Sequence, residues 1–196
     1  MTSTAPRPRL GADERRRAVL DAACRVFIRS SYRRATTAEI AREAGITEPI
    51  LYRHFPSKRD LYVACLDEAW RQFREAAEEA LAADPEGCLG AIIDTYMAKR
   101  ARLRLIDLWI QALNEVEEPL IANAVRAQIR DLQRFIEGVI ERGQAAGTLH
   151  SDRDPVAEAW LFVAGGLLVT IDHRLGGLLG DDLERVRAAR RAWMHA

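Results

Sequence analysis

Apolar residues return at helical spacing along almost the whole of this chain, and strand-like alternation is nearly absent. Val19, Ala22, Ala23, Val26 and Phe27 fall at i, i+3, i+4, i+7 and i+8 and make one face. Leu105, Ile106, Trp109, Ile110 and Leu113 make a second stripe, and a third runs from Ile121 through Val125, Leu132 and Ile136 to Ile140. A period of 3.6 puts these residues on one side of a helix, whereas a sheet needs a period of two. The expected fold class is therefore all-α, and 196 residues allow one or two domains.

Punctuation divides the pattern. Residues 1–12 carry Ser, Thr, Pro and Arg without periodicity and read as a disordered arm, whose Arg7 and Arg9 have the charge to reach a minor groove. A helix follows from Asp13 and should stop near Ser30. Thr36, with Glu39 three residues on, is a capping box that opens a second helix, and Gly45 ends it. Thr47 caps a third, with Pro49 in its first turn, running to about His54. Ser57 and Asp60 restart a longer one that reaches about Ala82. Further helices are placed near 86–100, 102–115, 119–146, 155–176 and 181–194.

The stretch TTAEIAREAGITEPILYRHFP at residues 36–56 is thus two short helices around a glycine turn, pinned by Ala41, Ile46 and Leu51. Such a helix-turn-helix can lay its second helix in a major groove. Glu48, Pro49, Tyr52 and Arg53 share that helix's outward face. Tyr52 and His54 can hydrogen-bond phosphate oxygens, Arg53 can reach a phosphate or a guanine edge, and Pro49 can touch a thymine methyl. Lys58 sits in the first turn of the next helix, where dipole and ammonium both attract phosphate. Charge agrees: residues 1–60 hold 13 Lys/Arg against 7 Asp/Glu, and the remainder 16 against 22. A basic module joined to an acidic one points to double-stranded DNA as partner of the first.

The order and spacing of EIAREAGIT, LYRHFPSK and DLY after the first helix resemble the DNA-binding domain of the tetracycline-repressor (TetR) family over residues 15–65. The resemblance implies a helix-turn-helix head (residues 13–60) and a larger helical domain (61–196) that binds a small-molecule effector and forms a homodimer through its last two helices. By matched position, Thr36 and Thr37 would meet the DNA backbone, Glu48 and Pro49 would approach bases, and Tyr52, His54 and Lys58 would hold phosphates. Three residues depart from the pattern. Ser31 stands where glycine usually follows the first helix, which implies a turn that is either strained or differently capped. Glu48 replaces a residue more often basic, and Ile50 one that is usually small and polar.

The helix at 155–176 is apolar on nearly every side and must be covered on both faces. Gly165 and Gly166 in its middle suit close approach of another helix. With the last helix it is read as a dimer seam, through Trp160, Gly165, Gly166, Leu168, Val186 and Trp193. Trp70, Phe73, Tyr96, Trp109, Leu113 and Phe135 lie on inward stripes and, with His173, are the candidate effector site. Asp107, Asn114, Asn123, Gln128 and Thr170 are polar residues near those stripes. The effector is expected to be apolar or aromatic.

No metal-spaced histidine pair, Gly-rich phosphate loop or nucleophile elbow is present, so neither an enzyme nor a cofactor is expected. A body that binds protein rather than a small molecule is the alternative. Residues 1–11 lack the apolar stretch of a secretory leader, and the uncharged run 159–171 is too short to span a bilayer. Cys24, Cys65 and Cys88 are far apart in sequence and suit core positions in a reducing cytoplasm.

Overall fold

In the computed structural model, which describes residues 12–84 and 88–194, every regular element is helical. In chain order these are α1 (Ala12–Arg34), α2 (Thr37–Glu43), α3 (Glu48–His54), α4 (Lys58–Ala83), α5 (Cys88–Leu103), α6 (Leu105–Ala112), a 3₁₀ turn (Leu113–Glu115), α7 (Pro119–Ala145), α8 (Pro155–Arg174) and α9 (Asp182–Met194). The arm with Arg7 and Arg9, and the side chain of Trp193, lie outside the described residues.

Caps written in the sequence set several of these boundaries. Thr36 is extended and its hydroxyl accepts from the Glu39 amide at 3.1 Å. Ser57 does the same for Asp60 at 3.1 Å and donates back to its carboxylate at 2.6 Å. Gly45 adopts φ 68°, so the Ile46 amide can turn back to the Ala41 carbonyl at 2.9 Å. Thr47 corrects expectation: it holds the N-cap position of α3, but its side chain makes no capping bond. Its hydroxyl is left exposed.

The first helix does break near Ser30, although helical residues continue to Arg34. Ser31 has φ 65° and ψ 162°, a region that only glycine enters without strain. Relief of that strain, less the extra chain entropy of glycine, predicts that Ser31→Gly stabilises the protein by about 1 kcal/mol. Differential scanning calorimetry should show Tm rising by about 2–4 °C; an unchanged or lower Tm would contradict the strained turn.

Between α5 and α6 the break falls at Arg104, three residues later than the sequence pattern places it. Arg104 takes the left-handed conformation at φ 51°, and its guanidinium lies 3.9 Å from Asp21 of α1. A tertiary contact sets this boundary, where a glycine would have announced it.

Helix α4 is the axis of the molecule. It packs on α1 and α6 at one end and on α5 and α7 along its length, while α7 carries α8. Phe27, Tyr32 and Tyr62 form an aromatic cluster with centroids 4.8–6.0 Å apart where α1 meets α4. The buried Tyr62 hydroxyl donates to the Leu108 carbonyl of α6 at 2.8 Å. Cys24 and Cys65, distant in sequence, meet at the same junction. Burial, and then the neighbouring Cys24, push the Cys65 thiol well above its ordinary pKa, which suits an inert core thiol.

Candidate functional site

Helices α2 and α3 meet through three residues that sequence assigned to a ligand. The Thr37 hydroxyl donates to Glu48 Oε1 at 2.6 Å and lies 3.1 Å from the Tyr52 hydroxyl. A hydroxyl has one hydrogen, so Tyr52 donates to Thr37. Glu48 is therefore anchored to α2, half-buried, rather than projecting freely as an acid on the outward face. Through the shared Thr37 hydroxyl it is linked to the tyrosine, whose side chain is exposed.

Thr36, Thr47, Pro49, Tyr52, Arg53 and His54 are all exposed along this surface. Arg25 and Arg29 are turned away from it: they hold Glu43 at 2.9 and 3.2 Å, and Arg29 also holds Glu39 at 2.8 Å. Hydrogen bonds from Arg25 and then Arg29 keep the Glu43 carboxyl below the usual carboxylate range. Arg53 has no ion-pair partner among the described residues and is exposed on α3.

Lys58 behaves differently from its expected part. Its ammonium donates to the carbonyls of Tyr32 at 3.0 Å and Ala35 at 3.2 Å, and lies 4.6 Å from the Tyr32 ring centroid. It caps the end of α1 and holds the turn into α2, because three free carbonyls there need donors. Its contribution to this surface is the position of the turn rather than a cation facing outward.

A cavity of about 310 Å³ lies in the body between α5, α6, α7, α8 and α9. Its floor includes Phe73, Tyr96, Leu105, Ile106, Trp109 and Leu132. Trp109 is fixed by its indole N–H, which donates to Gln128 at 3.0 Å, while Gln128 in turn donates to Asp67 at 2.9 Å. Of the sequence candidates, Phe73, Tyr96 and Trp109 line this space and four do not. Leu113 is 56% exposed in the 3₁₀ turn, because the helix that would have carried its stripe inward ends one residue earlier. His173 is exposed near the end of α8. Trp70 stacks on Phe73 at 5.8 Å, outside the cavity, and Phe135 packs under the Arg74 guanidinium at 5.7 Å.

The polar candidates near the stripes are engaged elsewhere or exposed. Thr170 is buried and donates to the Gly166 carbonyl, Asp107 pairs with Arg174 at 3.1 Å, and Asn114 and Asn123 face solvent. The charged groups of the lining are Asp94, Arg187 and Arg190, none of which sequence reasoning chose. No local signal in the sequence marks these arginines as part of a site. Arg190 reaches back to α8, with 3.2 Å to the buried Glu158 carboxylate and 3.1 Å to its carbonyl.

On α8, Trp160, Leu168, Ile171 and Leu175 remain 38–64% exposed in one stripe, with Val186 of α9 also exposed. Within one chain, then, one face of this apolar helix is uncovered. Gly166 lies on its other face, where a β-carbon would stand 3.1 Å from Ile106. That glycine admits α6, a correction to its place in the expected seam, whereas Gly165 faces open space. By length and composition α8 is the helix among the described residues that could cross a membrane. Its acids Glu158 and Asp172 are buried and paired inside the fold, with Arg190 and the Leu179 amide. Both favour a packed bundle helix over a lipid-facing one.

A helix-turn-helix head joined through one long helix to a cavity-bearing helical body defines the class of DNA-binding transcription regulators. Residues 19–65 match the model of the bacterial regulatory proteins of the tetR family. The transcriptional repressor KstR2 of Rhodococcus jostii is 31% identical over 182 residues, which cover 88% of this chain and 86% of that one. The regulator TtgR of Pseudomonas putida is 29% identical over 158 residues, covering 74% and 75%. The activator FasR of Mycolicibacterium smegmatis is 50% identical over 58 residues, but the match spans only 26% of its length and 30% of this chain. A TetR-family regulator from Agrobacterium tumefaciens superposes with a TM-score of 0.80 at 22% identity, covering 95% of this chain and 100% of that one. The chain belongs to the TetR family of bacterial transcription regulators. Proteins of this family bind DNA and act as dimers, with small-molecule effectors, and many are repressors.

Proposed function

We propose that this chain is a cytoplasmic repressor that binds a near-palindromic operator as a homodimer and releases it when a small apolar molecule occupies the body cavity. In this reading Thr36 and Thr47 meet the DNA backbone, as does Thr37 through its main-chain amide in the first turn of α2. Pro49 and Arg53 read base edges, His54 holds a phosphate, and Tyr52 holds another once its hydroxyl turns its hydrogen from Thr37 to the phosphate oxygen. Glu48 orients Tyr52, and Lys58 holds the entry turn. The exposed stripe of α8, with Val186, is covered by a second copy, which spaces two α3 helices about one DNA turn apart.

One observation carries the regulatory part. Helix α6 lines the cavity with Leu105, Ile106 and Trp109, and its opposite side meets α1 of the head. Gln111 donates to the Ile28 carbonyl at 3.4 Å, and just beyond α6 the buried Glu115 holds Arg33 at 3.1 Å. At the same level Arg59 of α4 lies 3.7 Å from Glu118. A molecule that displaces α6 must move α1 and α4 or break these contacts. It releases DNA only if it binds the splayed arrangement better than the DNA-competent one.

Native mass spectrometry of the purified dimer, followed by titration of any co-purifying molecule against a bound duplex, tests this reading. DNA affinity should fall as that molecule saturates; constant affinity at saturation would contradict it. Glu115→Gln weakens the Arg33 bond between body and head. It is expected to leave binding of the small molecule within about twofold while cutting its effect on DNA affinity by about 5-fold or more, the low end of measured couplings. An unchanged coupling would remove Glu115 from the path.

A further inference from the structure

The mouth of the cavity is chemically unlike its floor. Apart from Asp94, which is exposed on α5, the charged groups of the lining are two arginines of α9. Arg190 is balanced by the buried Glu158. Arg187 is not balanced in the same way. Its Nη1 donates at 2.5 Å to Glu184, whose side chain is 68% exposed, and exposed pairs of this kind contribute little. The Arg187 Nε is buried and has no hydrogen-bond acceptor. A buried donor without a partner is costly, and a guanidinium offers its donors in a planar fork that matches a carboxylate.

Size narrows the choice. At roughly 30 Å³ per non-hydrogen atom, the share a water molecule takes in the liquid, a cavity of about 310 Å³ has room for at least about ten such atoms. Most of them must be apolar to suit Phe73, Ile106 and Trp109 on the floor. A cationic head would face two guanidinium groups, and a neutral head would leave Arg187 Nε with a weaker acceptor than an anion provides.

We propose that the cavity takes an amphipathic monoanion, a carboxylate on an apolar body of eight or so carbons, with its charged end on Arg187. The inference rests on the reading of this cavity as the effector site, and it makes α9 part of the binding site as well as of the surface offered to a second copy.

Isothermal titration of the full chain with octanoate and with octanamide, which differ in charge but not in size, tests it. The wild type should bind octanoate about tenfold or more tightly than octanamide. Arg187→Gln should erase that preference and leave octanamide binding unchanged, a pattern that a merely destabilised cavity would not give. If both compounds bind equally, or if Arg187→Gln keeps the preference, the carboxylate assignment is overturned while the cavity stands as an apolar site. If neither compound binds to a folded dimer, the monoanion is wrong and the cavity loses its support as a site for molecules of this size.

Discussion

Trp160→Glu should leave a helical, soluble chain that no longer dimerises. Trp160 is 43% exposed at the start of the uncovered stripe of α8, where it touches neither the cavity nor the head. Large aromatic residues commonly dominate association, and a carboxylate on this stripe would have to be buried against its own copy. The consequence for DNA is larger than any single contact. Two tethered heads gain about 10² to 10⁴ in affinity over one. The variant should therefore lose about 10²-fold or more on a duplex with two half-sites, while its affinity for a single half-site changes little. Analytical ultracentrifugation with fluorescence anisotropy reads both. A variant that stays dimeric would move the seam elsewhere on the surface.

Arg53→Ala is the second large effect. The arginine is exposed on α3 and forms no ion pair among the described residues, so its loss leaves no buried group behind and should not change Tm. A guanidinium on a base edge or phosphate contributes about 1–3 kcal/mol, and a dimer loses two of them, so affinity should fall about 30-fold or more. If Arg53 reads a base, selectivity at one position of each half-site relaxes as well. If it holds a phosphate, binding weakens evenly across sequences and the salt slope drops by about one per arginine lost. Wild-type affinity in the variant would exclude α3 as the reading helix.

The head was nearly all legible in sequence because its signals are local. Thr36 with Glu39, Ser57 with Asp60, and Gly45 each satisfy backbone groups within a few residues, so helices α2 to α4 begin and end close to where those letters place them. Ser31 was legible as a departure from glycine that left either strain or a different cap, and its φ of 65° decides for strain. What escaped was tertiary. Nothing near Glu48 announces that Thr37, eleven residues back, will hold it, and nothing near Lys58 announces three carbonyls at the end of α1. In the body, a stripe of apolar residues tells that a helix has an inside but not where the helix stops. Leu113 therefore read as inward although α6 ends before it. Arg187 and Arg190 went unchosen because only the fold brings α9 to the cavity.

We propose that α3, set by the Thr37–Glu48–Tyr52 network, reads DNA for a two-headed molecule. Selection of bound duplexes from a random library tests it most directly, using protein unfolded and refolded to strip any small molecule, with Tyr52→Ala/Arg53→Ala as control. The wild type should enrich a near-palindrome with half-sites about 10 base pairs apart or a multiple of that spacing, and the control should not. A folded, dimeric, stripped protein that enriches no sequence, or a control that enriches the same one, would contradict it.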